Sequence, residues 1–168
     1  MSAPRPPRAL SPRQVKWVLN LFPPWLLQGI RIVSISPDFR RATVRVRRGL
    51  LTRNLNGSTF GGTVFAAFDP VCAILYWQIL AHRGLRVQAW LRGASIRYVK
   101  PARTALTISF EIGEADVEDA VSALRSGGRF ARAHRVVATD VAGEVCAEAD
   151  TEVYLRLPRE GQKEVSAF

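Results

Sequence analysis

Acidic residues are scarce in the first 103 positions of this chain of 168 residues: Asp38 and Asp69 stand alone against 17 Lys and Arg. The rest of the chain reverses the balance, with 7 cations against 12 acids, and the whole carries a formal charge of +10. So one-sided a first part suits an anionic partner, such as a nucleotide or CoA phosphate, nucleic acid or an acidic membrane surface; a merely solvated face is the plainer reading. The arginines show no aromatic interleaving, so no nucleic-acid partner is expected. Cysteine is almost missing. Cys72 and Cys146 lack metal-ligand spacing and are expected as buried thiols in a reducing compartment. With two histidines, no Ser-His-Asp arrangement is visible, and there is no phosphate-cradling Walker loop. His82 is expected at the surface of a helix end and His134 as a satisfied strand residue. The opening residues, MSAPRPPRALSPR, lack the apolar run of a secretory signal, and their prolines spoil the amphipathic helix of a transit peptide, so a cytoplasmic location is expected. No internal repeat is found.

What the chain does have is one long apolar run. Residues 54–81 read NLNGSTFGGTVFAAFDPVCAILYWQILA. The first third is a loop by composition, since Asn54, Asn56, Gly57 and Ser58 favour turns and positive φ. From Val64 to Leu80 the run is apolar on every face, as a helix must be when it is wrapped by protein or sits in lipid. Asp69 and Gln78 lie inside it and Pro70 breaks its ladder, so no membrane span is expected. Gly61 and Gly62 fall where the helix begins, with free N–H groups and the positive end of its dipole. Such an end can receive an anion, or an oxygen that becomes one during reaction.

Around this run the pattern is mixed. Ser11 and Pro12 open a short amphipathic helix that Pro23-Pro24 stops. Ile30–Ser36 and Ala42–Arg48 alternate as a hairpin, and Gly84 ends the long helix. Val87–Lys100 is a long strand region with Gly93 as a bulge, and after Pro101 a strand over Ala105–Ile112 is expected to pair back. The acidic segment EADVEDAVSALRSGG reads as a short helix or wide loop. A last hairpin joins Arg129–Asp140 to Val145–Leu157 through Gly143. Residues 1–10 are expected as a flexible segment, 11–157 as one domain, and 158–168 as a flexible tail. This is an α+β chain. A single twisted sheet can bury a helix on all sides only by curling round it or with a partner's help, so an oligomer is expected.

The sequence NLNGSTFGGTVFAAFDP resembles the loop-and-helix signature of the hotdog-fold thioesterases of the phenylacetate-pathway type. PPWLLQGI, the Asp-Pro pair and IRYVKPAR are similar to an uncharacterised branch of that superfamily. The likeness covers roughly residues 14–157. It implies a curled antiparallel sheet of about six strands wrapped around one long central helix, dimerising or forming tetramers. It further implies hydrolysis of an acyl-CoA or acyl-carrier-protein thioester, with no cofactor beyond the CoA of the substrate and no metal. Under this resemblance Asn54 orients water or substrate, the Gly61 N–H polarises the thioester carbonyl, and Asp69 acts as base or nucleophile. Gly57, Phe60 and Gly62 would line the substrate site, with Arg97, Lys100 and Arg103 as candidates for CoA phosphates. Phe60 stands where many relatives carry His, which supports a second reading, a non-catalytic acyl-CoA or lipid-binding module. Asp69 lies about 12 Å along the axis from Gly61, so a partner's Asp69 is expected beside each Gly61.

Overall fold

The computed structural model describes residues 7–158. Ser11 caps helix α1 (Pro12–Leu21) through a box in which its hydroxyl accepts from the Gln14 N–H and the Gln14 side chain accepts from the Ser11 N–H. The prolines that end α1 also start a short helix α2 (Pro23–Leu27), because proline needs no donor in a first turn. Val15, Leu19 and Trp25 are the buried anchors of this pair. Next come β1 (Ile30–Ile35) and β2 (Arg41–Val46), which form an antiparallel hairpin whose alternate residues Ile30, Ile32, Ala42, Val44 and Val46 are buried.

The long apolar run is two helices, α3 (Gly61–Phe68) and α4 (Val71–His82), separated at Asp69-Pro70 by a cis peptide bond. A break here is what Pro70 implies, since it removes an N–H and disfavours helix at Asp69. Together they are long and apolar enough to cross a membrane by length and composition, but most of the run is buried inside the domain. Four strands complete the sheet: β3 (Gln88–Tyr98), β4 (Leu106–Glu111), β5 (Arg129–Thr139) and β6 (Val145–Arg156). Helix α5 (Glu114–Gly127) stands between β4 and β5. The register of β3 slips at Leu91/Gly93, where a bulge is expected from the glycine.

All six strands form one antiparallel sheet in the order β1-β2-β4-β5-β6-β3. This is the expected curled sheet around a central helix. One connection differs from expectation: β4 does not pair back onto β3. The N–H groups of Val99 and Lys100 still donate to the Cys146 carbonyl of β6; beyond them the chain leaves the sheet, and the Ala102 carbonyl accepts from the Thr59 N–H in the loop before α3. β4 is thereby delivered between β2 and β5, while β3 takes the far edge beside β6.

The core fills the space between the concave face and α3–α4, with Tyr76, Leu75, Leu80, Phe68 and Phe110 among its fully buried side chains. Helix α5 closes one flank by burying Val117, Ala120 and Leu124. Gln78, the one amide inside α4, is fully buried and fully used: its oxygen accepts from the Leu10 N–H at 2.7 Å and its nitrogen donates to the Arg8 carbonyl at 3.3 Å. The expected flexible segment 1–10 falls outside the described residues up to Pro6; from Arg8 to Leu10 the chain is tied to α4 by these bonds and by one between His82 Nε2 and the Leu10 carbonyl. The expected tail lies outside the described residues apart from Pro158.

Candidate active site

Asn54 builds the loop before α3. Its Oδ1 accepts from the backbone N–H groups of Asn56 and Ser58, each at 3.0 Å, and its Nδ2 donates to the Ser58 hydroxyl at 2.9 Å. Gly57 takes φ +74 at the tip, and the Arg48 guanidinium donates to its carbonyl at 2.7 Å. Every polar atom of the Asn54 side chain thus has a partner within five residues, so here it acts as a loop brace.

The loop delivers Phe60 as the cap of α3, with its own N–H donating to the Thr52 carbonyl. No side chain caps the helix. The N–H groups of Gly61 and Gly62 donate to no acceptor among the described residues, while those of Thr63 and Val64 already return to Phe60. Donors of this kind at the positive end of a helix can receive an oxyanion. Side chains crowd both glycines. A Cβ on Gly61 would meet the Tyr98 hydroxyl at 3.0 Å, and one on Gly62 would lie 2.4 Å from Cε1 of Phe60. The Phe60 ring therefore folds back over Gly62. The Tyr98 hydroxyl donates to the Gly61 carbonyl at 2.8 Å, locking the first residue of the helix from β3. Sequence reasoning missed Tyr98 in this role; the only sign of it is the tyrosine in IRYVKPAR, 37 residues away.

Asp69 ends α3 in extended conformation (φ −96°, ψ 135°). Its carboxyl is half-buried and forms no hydrogen bond or ion pair among the described residues, and burial pushes its pKa above the ordinary 3.8. An unpaired carboxylate of raised pKa is equipped to take up a proton. Within one chain it stands at the opposite end of α3 from Gly61, about 12 Å along the axis, so one copy does not bring the two together.

The three candidate phosphate ligands separate. Arg97 pairs with Glu148 at 2.9 Å, which Arg135 also contacts. Lys100 pairs with Asp140 at 2.9 Å and with Glu144. Arg103 is exposed and has no acidic partner among the described residues. His82 is exposed, bonded to Leu10 and stacked on Phe39 at 5.4 Å. His134 shares a hydrogen bond of 3.1 Å with the Tyr76 hydroxyl, and burial lowers its pKa. Cys72 is buried and its thiol is pushed up to about 12, chiefly by desolvation, so it is no nucleophile at neutral pH. Among the described residues, no group of three or more His, Cys, Asp or Glu could hold a metal ion.

Curled sheet, central helix and glycine-opened helix end define a hotdog fold, and solved structures agree. A protein of unknown function from Pseudomonas aeruginosa, named a probable thioesterase, superposes with a TM-score of 0.79 over 89% of this chain and 98% of its own, at 17% identity. A thioesterase from Haemophilus influenzae gives 0.66 over 93% and 98%, at 10% identity. The PaaI protein of the E. coli phenylacetic acid degradation operon gives 0.60 over 87% and 92%, at 15% identity. No curated protein matches the sequence. Residues 12–155 match the family described as a domain of unknown function, DUF4442, and the chain belongs to that family.

Proposed function

We propose that this protein hydrolyses an acyl-CoA or acyl-carrier-protein thioester in the cytoplasm, as a homodimer or tetramer. The observation that carries the reading is the pair of unengaged N–H groups at Gly61 and Gly62 together with the unpaired, half-buried Asp69. The thioester carbonyl oxygen would rest on the Gly61 N–H. Asp69 of a second copy would take a proton from water as the water oxygen adds to the carbonyl carbon; the negative charge passes to the oxyanion, and its collapse breaks the C–S bond as the departing thiolate takes that proton back from Asp69 and leaves as the thiol. The chemistry is complete without a cofactor or metal. A screen of acyl-CoA chain lengths, with released thiol measured and Asp69→Asn as control, tests it. No turnover of any acyl-CoA or acyl-carrier-protein thioester by the folded protein would reject it.

Asp69 also fixes the pH dependence. Catalysis needs the carboxylate, so the rate falls on the acid side through a pKa above 3.8. Stability runs the other way. Because the folded state favours the protonated form, the stabilisation from Asp69 is full below the ordinary value and is lost as pH rises through the raised one. Asp69→Asn should therefore abolish turnover, melt higher than wild type at neutral pH and lose that advantage near pH 3; thermal melts at the two pH values check this.

If CoA phosphates meet Arg103, Arg103→Ser should raise KM more than it lowers kcat, because it removes uniform binding. Arg97→Ser and Lys100→Ser should raise KM less, since acids already hold those side chains. Steady-state kinetics on acyl-CoA would show it; an unchanged KM for all three places them on a solvated face.

A second reading, a non-catalytic acyl-CoA or lipid-binding module, is favoured by two observations: the Asn54 side chain is consumed inside its loop, and Phe60 covers Gly62. It predicts acyl-CoA binding without turnover.

A further inference from the structure

We propose that the face made by α1, α2 and the solvent side of β1–β2 docks on a membrane surface carrying anionic lipid. This inference is independent of the hydrolase reading. It begins with an open groove of about 520 Å³ lined by Lys16, Arg31, Arg45, Arg47 and Arg48, and no acid is among its lining residues. None of the five cations forms an ion pair within the described residues; most acids of the second half are taken by other cations, among them Arg83, Arg97 and Arg132. Lys16 and Arg48 each donate to a backbone carbonyl, of Val33 and Gly57, which steadies the side chain without cancelling its charge. Arg31 and Arg45 are direct cross-strand partners. Like charges facing one another across a sheet cost stability, so an external anion that meets both gains the relief of that repulsion in addition to its own attraction.

Beside the groove lies apolar surface that the fold leaves uncovered. Trp17 and Leu21, one turn apart on α1, are 68% and 61% exposed, and Leu26 and Leu27 of α2 are 56% and 65% exposed. The end of α2 is held against β2: the Arg47 N–H donates to the Gly29 carbonyl at 2.9 Å, and a Cβ on Gly29 would stand 3.6 Å from the Thr52 methyl. Next to Thr52, Leu50 and Leu51 are 82% and 81% exposed. Apolar tips therefore flank the cationic groove on the α1–α2 side and at its Arg47 end. An anionic lipid surface meets both at once, with headgroup phosphates in the groove and tryptophan and leucine tips in the headgroup–acyl boundary. A nucleic-acid backbone would satisfy the cations and leave the leucines in water.

The test uses the full chain and two sets of vesicles, one of phosphatidylcholine alone and one with roughly one third phosphatidylglycerol, in cosedimentation at near-physiological salt. Wild type should bind the mixed vesicles and bind phosphatidylcholine well over about 25-fold more weakly, because each cation near an anionic surface contributes about a fivefold gain and five of them line the groove. Arg31→Ser/Arg45→Ser should bind the mixed vesicles about 25-fold more weakly by the same factor, and should melt no lower than wild type since a repulsive pair has gone. Trp17→Ser/Leu27→Ser, at exposed positions, should also lose most of the binding while leaving the melt unchanged. Failure of folded wild type to bind the mixed vesicles would overturn the proposal, as would binding as tight as wild type's in both double variants. A duplex or single-stranded oligonucleotide that binds more tightly than the vesicles, with no loss in Trp17→Ser/Leu27→Ser, would give the face to nucleic acid instead.

Discussion

Asp69→Asn and Gly61→Pro, each nearly inactive alone, are expected to regain up to about a quarter of wild-type activity when their subunits are mixed. The Gly61 N–H and the Asp69 carboxyl sit at opposite ends of α3, and neither has a partner among the described residues. If each site takes Gly61 from one copy and Asp69 from the other, half the exchanged dimers are hybrids and each hybrid keeps one intact site. Loss of an oxyanion donor costs about 10²–10³ in rate, and loss of the base a comparable factor of about 10²–10⁴. The contact with Tyr98 supplies the necessary control. Gly61→Pro removes the N–H but also places carbon where the Tyr98 hydroxyl lies 3.0 Å away. Gly61→Ala introduces the same carbon and keeps the donor, so the difference between the two isolates the N–H. Tagged-chain pull-down and circular dichroism confirm exchange and folding. Proven hybrids as inactive as their parents would eliminate the shared site, and full activity in Asp69→Asn would make the carboxyl structural.

Tyr76→Ala is expected to cost about 3–5 kcal/mol of stability, enough to lower Tm by roughly ten degrees or more. The Tyr76 ring is fully buried at the centre of α4, with Phe130 at 5.8 Å and His134 at 5.5 Å. Its removal opens a cavity that the curled sheet cannot collapse into, and it strips His134 of its partner. Tyr76→Phe separates the two effects: the ring remains and only the hydrogen bond goes, at a cost of about 1–3 kcal/mol. The depressed pKa of His134 means that its contribution is present above the ordinary 6.5 and is lost as pH falls below it. The comparison is therefore made above that pH, by chemical denaturation. A Tyr76→Ala variant as stable as wild type would show that the ring is not part of a close-packed core.

Gly61 illustrates how far the site was legible. A glycine pair between a turn-rich loop and an apolar run marks a helix start, and local chain chemistry is sufficient for that conclusion. The close approach of Tyr98, which crowds any side chain placed at Gly61, comes from a strand 37 residues later and is invisible without the fold. Asn54 shows the converse. Read as a residue that orients substrate, it spends all its hydrogen bonds on its own loop, and nothing in the residue type distinguishes the two uses. Arg97 and Lys100 were candidates for a phosphate because their own stretch of chain is basic. Their acids come from the final hairpin: register sets Glu148 opposite Arg97, and the β5–β6 turn brings Asp140 and Glu144 to Lys100.

By itself the sequence determined the elements whose causes are local: the Ser11 cap, the break at Pro70, the alternation of β2, the bulge near Gly93 and the all-round apolar run that needs a curled sheet or a partner to cover it. These follow from dihedral limits, capping and hydrophobic period, which act over a few residues. Only the tertiary structure decided where β4 pairs, that α5 closes the flank, that Gln78 is satisfied by residues 8–10, and that five cations from α1, β1, β2 and the residues just after β2 line one groove without an acid. Each depends on contacts between segments far apart in sequence, whose pairing is chosen by the packing of the whole core rather than by any stretch of it.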